Sequence, residues 1–348
     1  MVSPLADGNS TGPRSYSIYV RSLLSLTGPP APHSLQNPVP VGWLAEERRA
    51  LEAAGLVRVP RVLASGPRPV VEIDGREVLL FCSNDYLGLS SHPALREAAI
   101  RAVERHGVGA CSSRLVSGTQ LAHRRLEDRL AGWLGVERAV VMPAGFMANL
   151  AVLSTIASEG DVIFSDALNH SSIVQGCRLS RARVVVYPHR DAAALAEAME
   201  REVPRARRAV VVTDSIFSVD GDEAPIEELS NLAAAHGAAL VVDEAHALGV
   251  LGPAGKGLAA QAGARPDVVV GTLGKAFGVG GAFVAGSADL GALLESRAAS
   301  HIYTTAPPPA LAAAAEAALE LIESADEPRR RVLALAGRIR AGLDALGC

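Results

Sequence analysis

Two segments of the sequence place ionisable groups directly after short valine-rich runs. In LVVDEAHALG, Asp243 ends such a run and His246 lies three residues on. In VVVGTLGKAFGVGGAFVAG, the run ends at Thr272, Lys275 follows, and Gly278, Gly280, Gly281 and Gly286 come after it. Taken singly, each has an ordinary reading: a carboxylate at a strand end can cap the next helix, and a lysine in a glycine-rich loop is usually solvated. Together they meet the needs of one cofactor, pyridoxal 5′-phosphate (PLP). A lysine forms an imine with its aldehyde, and an acid keeps the pyridine nitrogen protonated so that the ring can take up carbanion electrons. The acid must face the ring nitrogen while the lysine reaches the opposite side, a span that two different strand ends can supply. The amine must lose its proton before it attacks, which partial burial and positive surroundings favour.

Two further segments fit around the same ligand. MPAGFMANL puts Gly145 and Phe146 at the start of a helix, where free backbone N–H groups and the helix dipole receive a phosphate. His170 in DALNHSSI follows another apolar run and could stack on a planar ring, although a loop histidine satisfied by its neighbours fits equally well. Neither GxxxxGK[ST] nor an early GxGxxG between a strand and a helix is present.

These residues need a scaffold, and the chain reads as one. RAVVMP, DVIFSD, RVVVYP, AVVVTD, ALVVDE, DVVVGT and AFVAG are short apolar runs bounded by charge, Pro or Gly, as expected of strands buried on both faces. They are separated by helical stretches such as ANLAVLSTIA and IEELSNLAAAHG, which predicts an α/β fold with a mainly parallel, seven-stranded sheet flanked by helices. HPALREAAIRAVERHG and QLAHRRLEDRLAGWLG read as helices, and VVEIDGREVLLF as two strands around a turn at Asp74 and Gly75. In such sheets ligands collect beyond the C-terminal strand ends, so Ala144 to Phe146, Asp166 to His170, Asp214 to Asp220, Asp243 to His246 and Thr272 to Lys275 are the segments of interest.

Composition narrows the functional classes. The chain has 348 residues, enough for a large domain and a smaller one, and its net charge of −4 comes with no basic run that could track nucleic acid. Cys82, Cys111, Cys177 and Cys348 lack metal-site or disulfide spacing and are expected to be small buried hydrophobes; no metal is expected. The apolar patch from Val20 to Leu26 is too short and too interrupted to span a bilayer or to act as a signal peptide, so the cytoplasm is the expected location.

FCSNDYLGLSSHP, GVGACSSRLVSGTQLAHRRLE, DALNHSSIVQG, VVTDSIFSVDGDEAPI, VVDEAHALGVLGPAGKG, TLGKAFGVGGAFV and HIYTTAPPPA together resemble, in order and spacing, the α-oxoamine synthases. These are PLP enzymes of fold type I, and the biotin-pathway branch is the most similar; Ser113 before Arg114 resembles that branch. The resemblance runs from about residue 45 to the end. It implies that Lys275 holds PLP, Asp243 pairs with the ring nitrogen, His170 stacks on the ring, and His246 and Ser218 bond the phenolic oxygen and its surroundings. It also implies Thr272, Gly145 and Phe146 as phosphate contacts and Thr304 as a contact to the phosphate of a neighbouring subunit, hence a homodimer. Asn84 and Arg58 would be substrate contacts. The implied substrates are L-alanine and an acyl-CoA or acyl carrier protein thioester, joined by decarboxylative condensation, with glycine-using relatives as the alternative.

The resemblance also suggests a domain plan: a loose extension over 1–44, an N-terminal segment over 45–75, a large PLP-binding domain over 76–298 and the beginning of a small C-terminal domain over 299–348. Family members continue into further strands, whereas ESADEPRRRVLALAGRIRAGLDALGC reads as one amphipathic helix with Val332, Leu333, Leu335, Ile339, Leu343 and Leu346 as its apolar positions. In relatives those strands carry an arginine for the amino-acid carboxylate and a second phosphate-side threonine. A truncated small domain is therefore expected, and a PLP-binding chain without turnover stays open beside the active enzyme.

Overall fold

A computed structural model describes residues 41–347. Most of the extension expected over 1–44 lies outside the described residues, as does Cys348. The described residues divide into two units, with the boundary in the sequence between Arg61 and Val62. In the first, the helix Gly42–Ala53 runs through the expected boundary at 44.

The second unit begins with a hairpin of β1 (Val70–Ile73) and β2 (Arg76–Leu79). Asp74 and Gly75 at its tip both have positive φ, 53° and 73°, the conformation that a two-residue hairpin turn requires. The main sheet contains β3 (Arg138–Met142), β4 (Val162–Asp166), β5 (Arg183–Tyr187), β6 (Ala209–Asp214), β7 (Ala239–Asp243), β8 (Val268–Thr272) and β9 (Ala282–Gly286). Its order is β3-β9-β8-β7-β6-β4-β5. Only β9 runs against its neighbours; every other pairing is parallel. Each of the seven apolar runs is therefore a strand of a mostly parallel sheet.

The valine runs other than β5 do not alternate with polar residues because both faces of the sheet are covered there; the expectation of burial on both faces fails for β5, an edge strand on which Val184 and Val186 are exposed. Ala139 and Val141 of β3 join one core cluster, with Trp133 and the helix Pro309–Glu323, while Val140 and Met142 join another, with the helices Gly145–Ile156 and Ser171–Ser180. Val162 and Phe164 of β4 bury against the helices Ala192–Glu202 and Ile226–Ala235 in a third. Side chains alternate from face to face along a strand, so a strand packed on both sides must be apolar at every position.

The cysteine expectation is corrected: Cys177 is buried in the helix Ser171–Ser180, but Cys82 and Cys111 are exposed. Both lie in connections, Cys82 just beyond β2 and Cys111 between the helices Pro93–His106 and Leu121–Leu134 with φ 54°, where no second layer covers the backbone. The C-terminal residues form the expected helix, Asp326–Ala345, on which Leu333, Leu335, Ile339 and Leu343 are exposed. Among the described residues, no helix is long and apolar enough to cross a membrane.

Candidate active site

The C-terminal ends of β3, β4, β6, β7 and β8 open on a cavity of about 200 Å³. Gly145, Phe146, His170, Asp243, His246, Thr272 and Lys275, all expected from the sequence, line it. Each reaches the cavity for a local reason. Gly145 and Phe146 open the helix that follows β3, and the first amides of a helix have no acceptor within it. His170 is the N-cap of the helix Ser171–Ser180. Asp243 is the last residue of β7. Lys275 follows β8 in a turn closed by the amide of Gly278, which donates to the Lys275 carbonyl at 2.8 Å. Gly278 has φ +68°, and a Cβ there would stand 2.4 Å from the backbone nitrogen of Ser90, so the turn accepts only glycine.

The surroundings of the lysine disfavour its charged form. Burial lowers its pKa, against the pull of Asp243 and Asp214. Its Nζ lies 2.7 Å from His246 Nε2. Burial, reinforced by the positive charge of Lys275, pushes His246 down to about 4, so at neutral pH the ring is uncharged and its Nε2 can accept a hydrogen bond from Lys275. His246 Nδ1 stands 2.7 Å from the hydroxyl of Tyr86, which in turn lies 3.3 Å from Asn84 Oδ1. One directed chain satisfies all of them: Lys275 donates to Nε2, Nδ1–H donates to the Tyr86 oxygen, and the Tyr86 hydroxyl donates to Asn84.

On the far side, Asp243 Oδ1 accepts from the Ala245 amide at 2.9 Å and Oδ2 from Asn149 Nδ2 at 2.6 Å. Asp214 is paired with Asp243 in the register of β6 and β7. Burial, then the charge of Asp243, raises Asp214. Neighbouring carboxylates that share a dry site avoid double ionisation. Asp214 Oδ2 accepts from the His170 amide at 2.6 Å, which fixes the loop that presents the imidazole.

Other expected residues stand elsewhere. Ser218 is exposed and does not line the cavity, nor does the half-buried Thr304. Asn84 reaches the site only through Tyr86. Arg58 belongs to the first compact unit, where it is exposed. Asn149, Ser172 and Asp214 line the cavity without having been singled out for a role. An asparagine in the otherwise apolar GFMANLAVL was the available signal for Asn149, since a buried polar residue needs a partner.

The donor set suits a phosphorylated pyridine aldehyde. The cavity offers a primary amine of lowered pKa, a fully hydrogen-bonded carboxylate, a hydroxyl at Thr272 and the unpaired first amides of a helix. An imidazole at His170 completes the lining.

Residues 76–348 match the sequence family of aminotransferase class I and II. The chain is 49% identical over 307 residues, 88% of its own length and 77% of the other's, to the 8-amino-7-oxononanoate synthase of Anaeromyxobacter sp. (strain K). Among solved structures it is similar to the serine palmitoyltransferase of Sphingomonas wittichii, with a TM-score of 0.82, 33% identity and coverage of 87% of this chain and 77% of that one. The 8-amino-7-oxononanoate synthase of Francisella tularensis aligns with a TM-score of 0.63 and 32% identity, over 72% and 71% of the two chains.

Proposed function

The chain belongs to the aminotransferase class I and II family, and from that premise we propose that it is a PLP-dependent C-acyltransferase of biotin biosynthesis. In this reading it joins L-alanine to a pimeloyl thioester, carried on coenzyme A or on a carrier protein, and forms 8-amino-7-oxononanoate. A carbon–carbon bond forms between the alanine Cα and the acyl carbonyl, the thiol leaves, and the alanine carboxylate departs as CO₂. The observation that carries the reading is the 2.7 Å contact between Lys275 Nζ and an uncharged His246, in one cavity with Asp243. The 49% identity to a named synthase supports the choice of reaction.

When bound, PLP supplies the electron sink for the carbanion at Cα. Lys275 would anchor the cofactor and move the α-proton, a role favoured by the burial that lowers its pKa. His246 and Tyr86 hold the amine in place through their hydrogen bonds. Asp243 would face the ring nitrogen and keep it protonated, and His170 would cover the ring. Thr272 and the amides of Gly145 and Phe146 take the phosphate. Ser218 and Asn84 serve substrate or cofactor once these are in place, and Thr304 acts in a site shared between two copies.

The test is a turnover assay of the purified chain with PLP, pimeloyl-CoA and, in turn, alanine, glycine and serine. Thiol release that is fastest with alanine, and reduced about 10²- to 10⁴-fold or more in Lys275→Ala, is expected. Release that survives in Lys275→Ala overturns the mechanism. A preference for glycine or serine overturns the assigned amino acid.

A further inference from the structure

Asn149 and Ser172 lie on the facing helices Gly145–Ile156 and Ser171–Ser180, and each is 1% exposed. Asn149 Nδ2 donates to Asp243 Oδ2 at 2.6 Å and to Ser172 Oγ at 2.9 Å. Turning the amide over would aim Oδ1 at the carboxylate and set two acceptors against each other. The orientation present leaves Asn149 Oδ1 buried without a partner, a penalty offset only if both protons of Nδ2 meet acceptors. Asp243 Oδ2 provides one of them and Ser172 Oγ the other.

The same logic continues to His170. Ser172 Oγ accepts from Asn149, so its own proton is free for His170 Nδ1, 2.6 Å away. The backbone amide of Ser172 also points at Nδ1, at 3.3 Å. With two donors directed at it, Nδ1 can present only its lone pair, and a neutral ring then carries its proton on Nε2. Protonating Nδ1 would turn a donor against a donor.

We propose that Asn149 and Ser172 are positioning residues that act as one relay. Through it Asp243 is held in orientation while His170 Nδ1 is held as an acceptor, with the ring proton on Nε2, so the groups for the nitrogen and for the face of the cofactor ring are set together. The use of this device rests on the PLP reading, but its geometry belongs to the chain alone and is tested without the cofactor.

The experiment is nitrogen NMR of the full chain labelled with ¹⁵N-histidine at neutral pH, first without PLP, with His170 identified by comparison with His170→Gln. A single Nε2-protonated state for His170 is expected in the wild type. Ser172→Ala and Asn149→Ala are expected to shift it towards a mixture of tautomers, and Ser172→Thr, which keeps the hydroxyl, to retain it. A His170 that is protonated at Nδ1 or cationic in the wild-type chain overturns the proposal, whether or not any variant folds. So does an imidazole signal unchanged in folded Ser172→Ala. PLP titration then reads the second consequence: affinity about tenfold weaker in Asn149→Ala, the loss of one hydrogen bond to a charged group. Unchanged affinity there removes the link to Asp243, while a correct tautomer in a chain that takes up no PLP would sink the cofactor reading and leave the relay standing.

Discussion

Burial of a histidine can be read directly as pH dependence. His301 is 1% exposed, its Nδ1 has no partner, and burial, followed by the charge of Arg114, pushes its pKa down to about 4. The unfolded chain binds a proton at this residue below about pH 6.5, whereas the folded chain does not until about pH 4. Stability from this group is therefore complete above pH 6.5 and is lost as the pH falls through that window, at up to about 1.4 kcal/mol per pH unit and about 3 kcal/mol in all. His246 has the same sign but is only half-buried, so solvent screens its share. Urea denaturation between pH 7 and 4 should show the decline, and His301→Gln, which does not titrate, should flatten it. An identical slope in His301→Gln would remove His301 as its source.

At the scale of elements, one buried ion pair fastens the loop before the helix Leu121–Leu134 to the edge strand that leads into the site. Arg114 donates to Glu127 Oε1 at 2.8 Å, and both side chains are nearly inaccessible, at 3% and 1%. The same oxygen accepts from the amide of Val141 in β3 at 2.9 Å, and Arg114 Nε donates to Thr119 Oγ1 at 2.9 Å. β3 ends just before the helix carrying Gly145, Phe146 and Asn149, so this pair supports that side of the cavity at one remove. Removing one partner leaves the other charge buried alone, which costs about 3–5 kcal/mol. Glu127→Ala should lower the unfolding free energy by that amount, read from the midpoint of a denaturant curve. A loss under about 1 kcal/mol would mean that water reaches Arg114 and that the pair is not what holds β3.

The whole molecule presents several large apolar side chains to solvent: Val219 is 90% exposed, Tyr303 83%, Val116 81% and Phe81 79%. Large apolar side chains this exposed can be covered by another molecule, and Tyr303 is the neighbour in sequence of Thr304, the residue proposed to serve a second copy. Both observations favour a homodimer. Sedimentation at micromolar concentration should give the mass of two chains, and Thr304→Ala should weaken PLP binding without dissociating the pair. A monomer that binds PLP with undiminished affinity would take Thr304 out of the site.

The sequence by itself determined the strands and the chemistry at their ends. A strand buried on both faces must be apolar at each position, so RAVVMP and AVVVTD reveal themselves without a partner in view, and an ionisable residue directly after such a run stands out. RVVVY reads the same way, yet it forms an edge strand whose Val184 and Val186 are exposed. In this way Lys275, Asp243, His246 and His170 could be picked from local spacing, and the structure brings them to one cavity. Only the tertiary structure decided who touches whom. Asp214 meets Asp243 because β6 pairs with β7 in one register. Asn149 lies beneath Asp243 although 94 residues separate them, and Tyr86 finds His246 across 160. Such contacts depend on how helices and strands pack in three dimensions, and a single sequence carries no periodic mark of a partner so far away. The exposure of Cys82 and Cys111 was settled in the same way, by which layers happen to cover each loop.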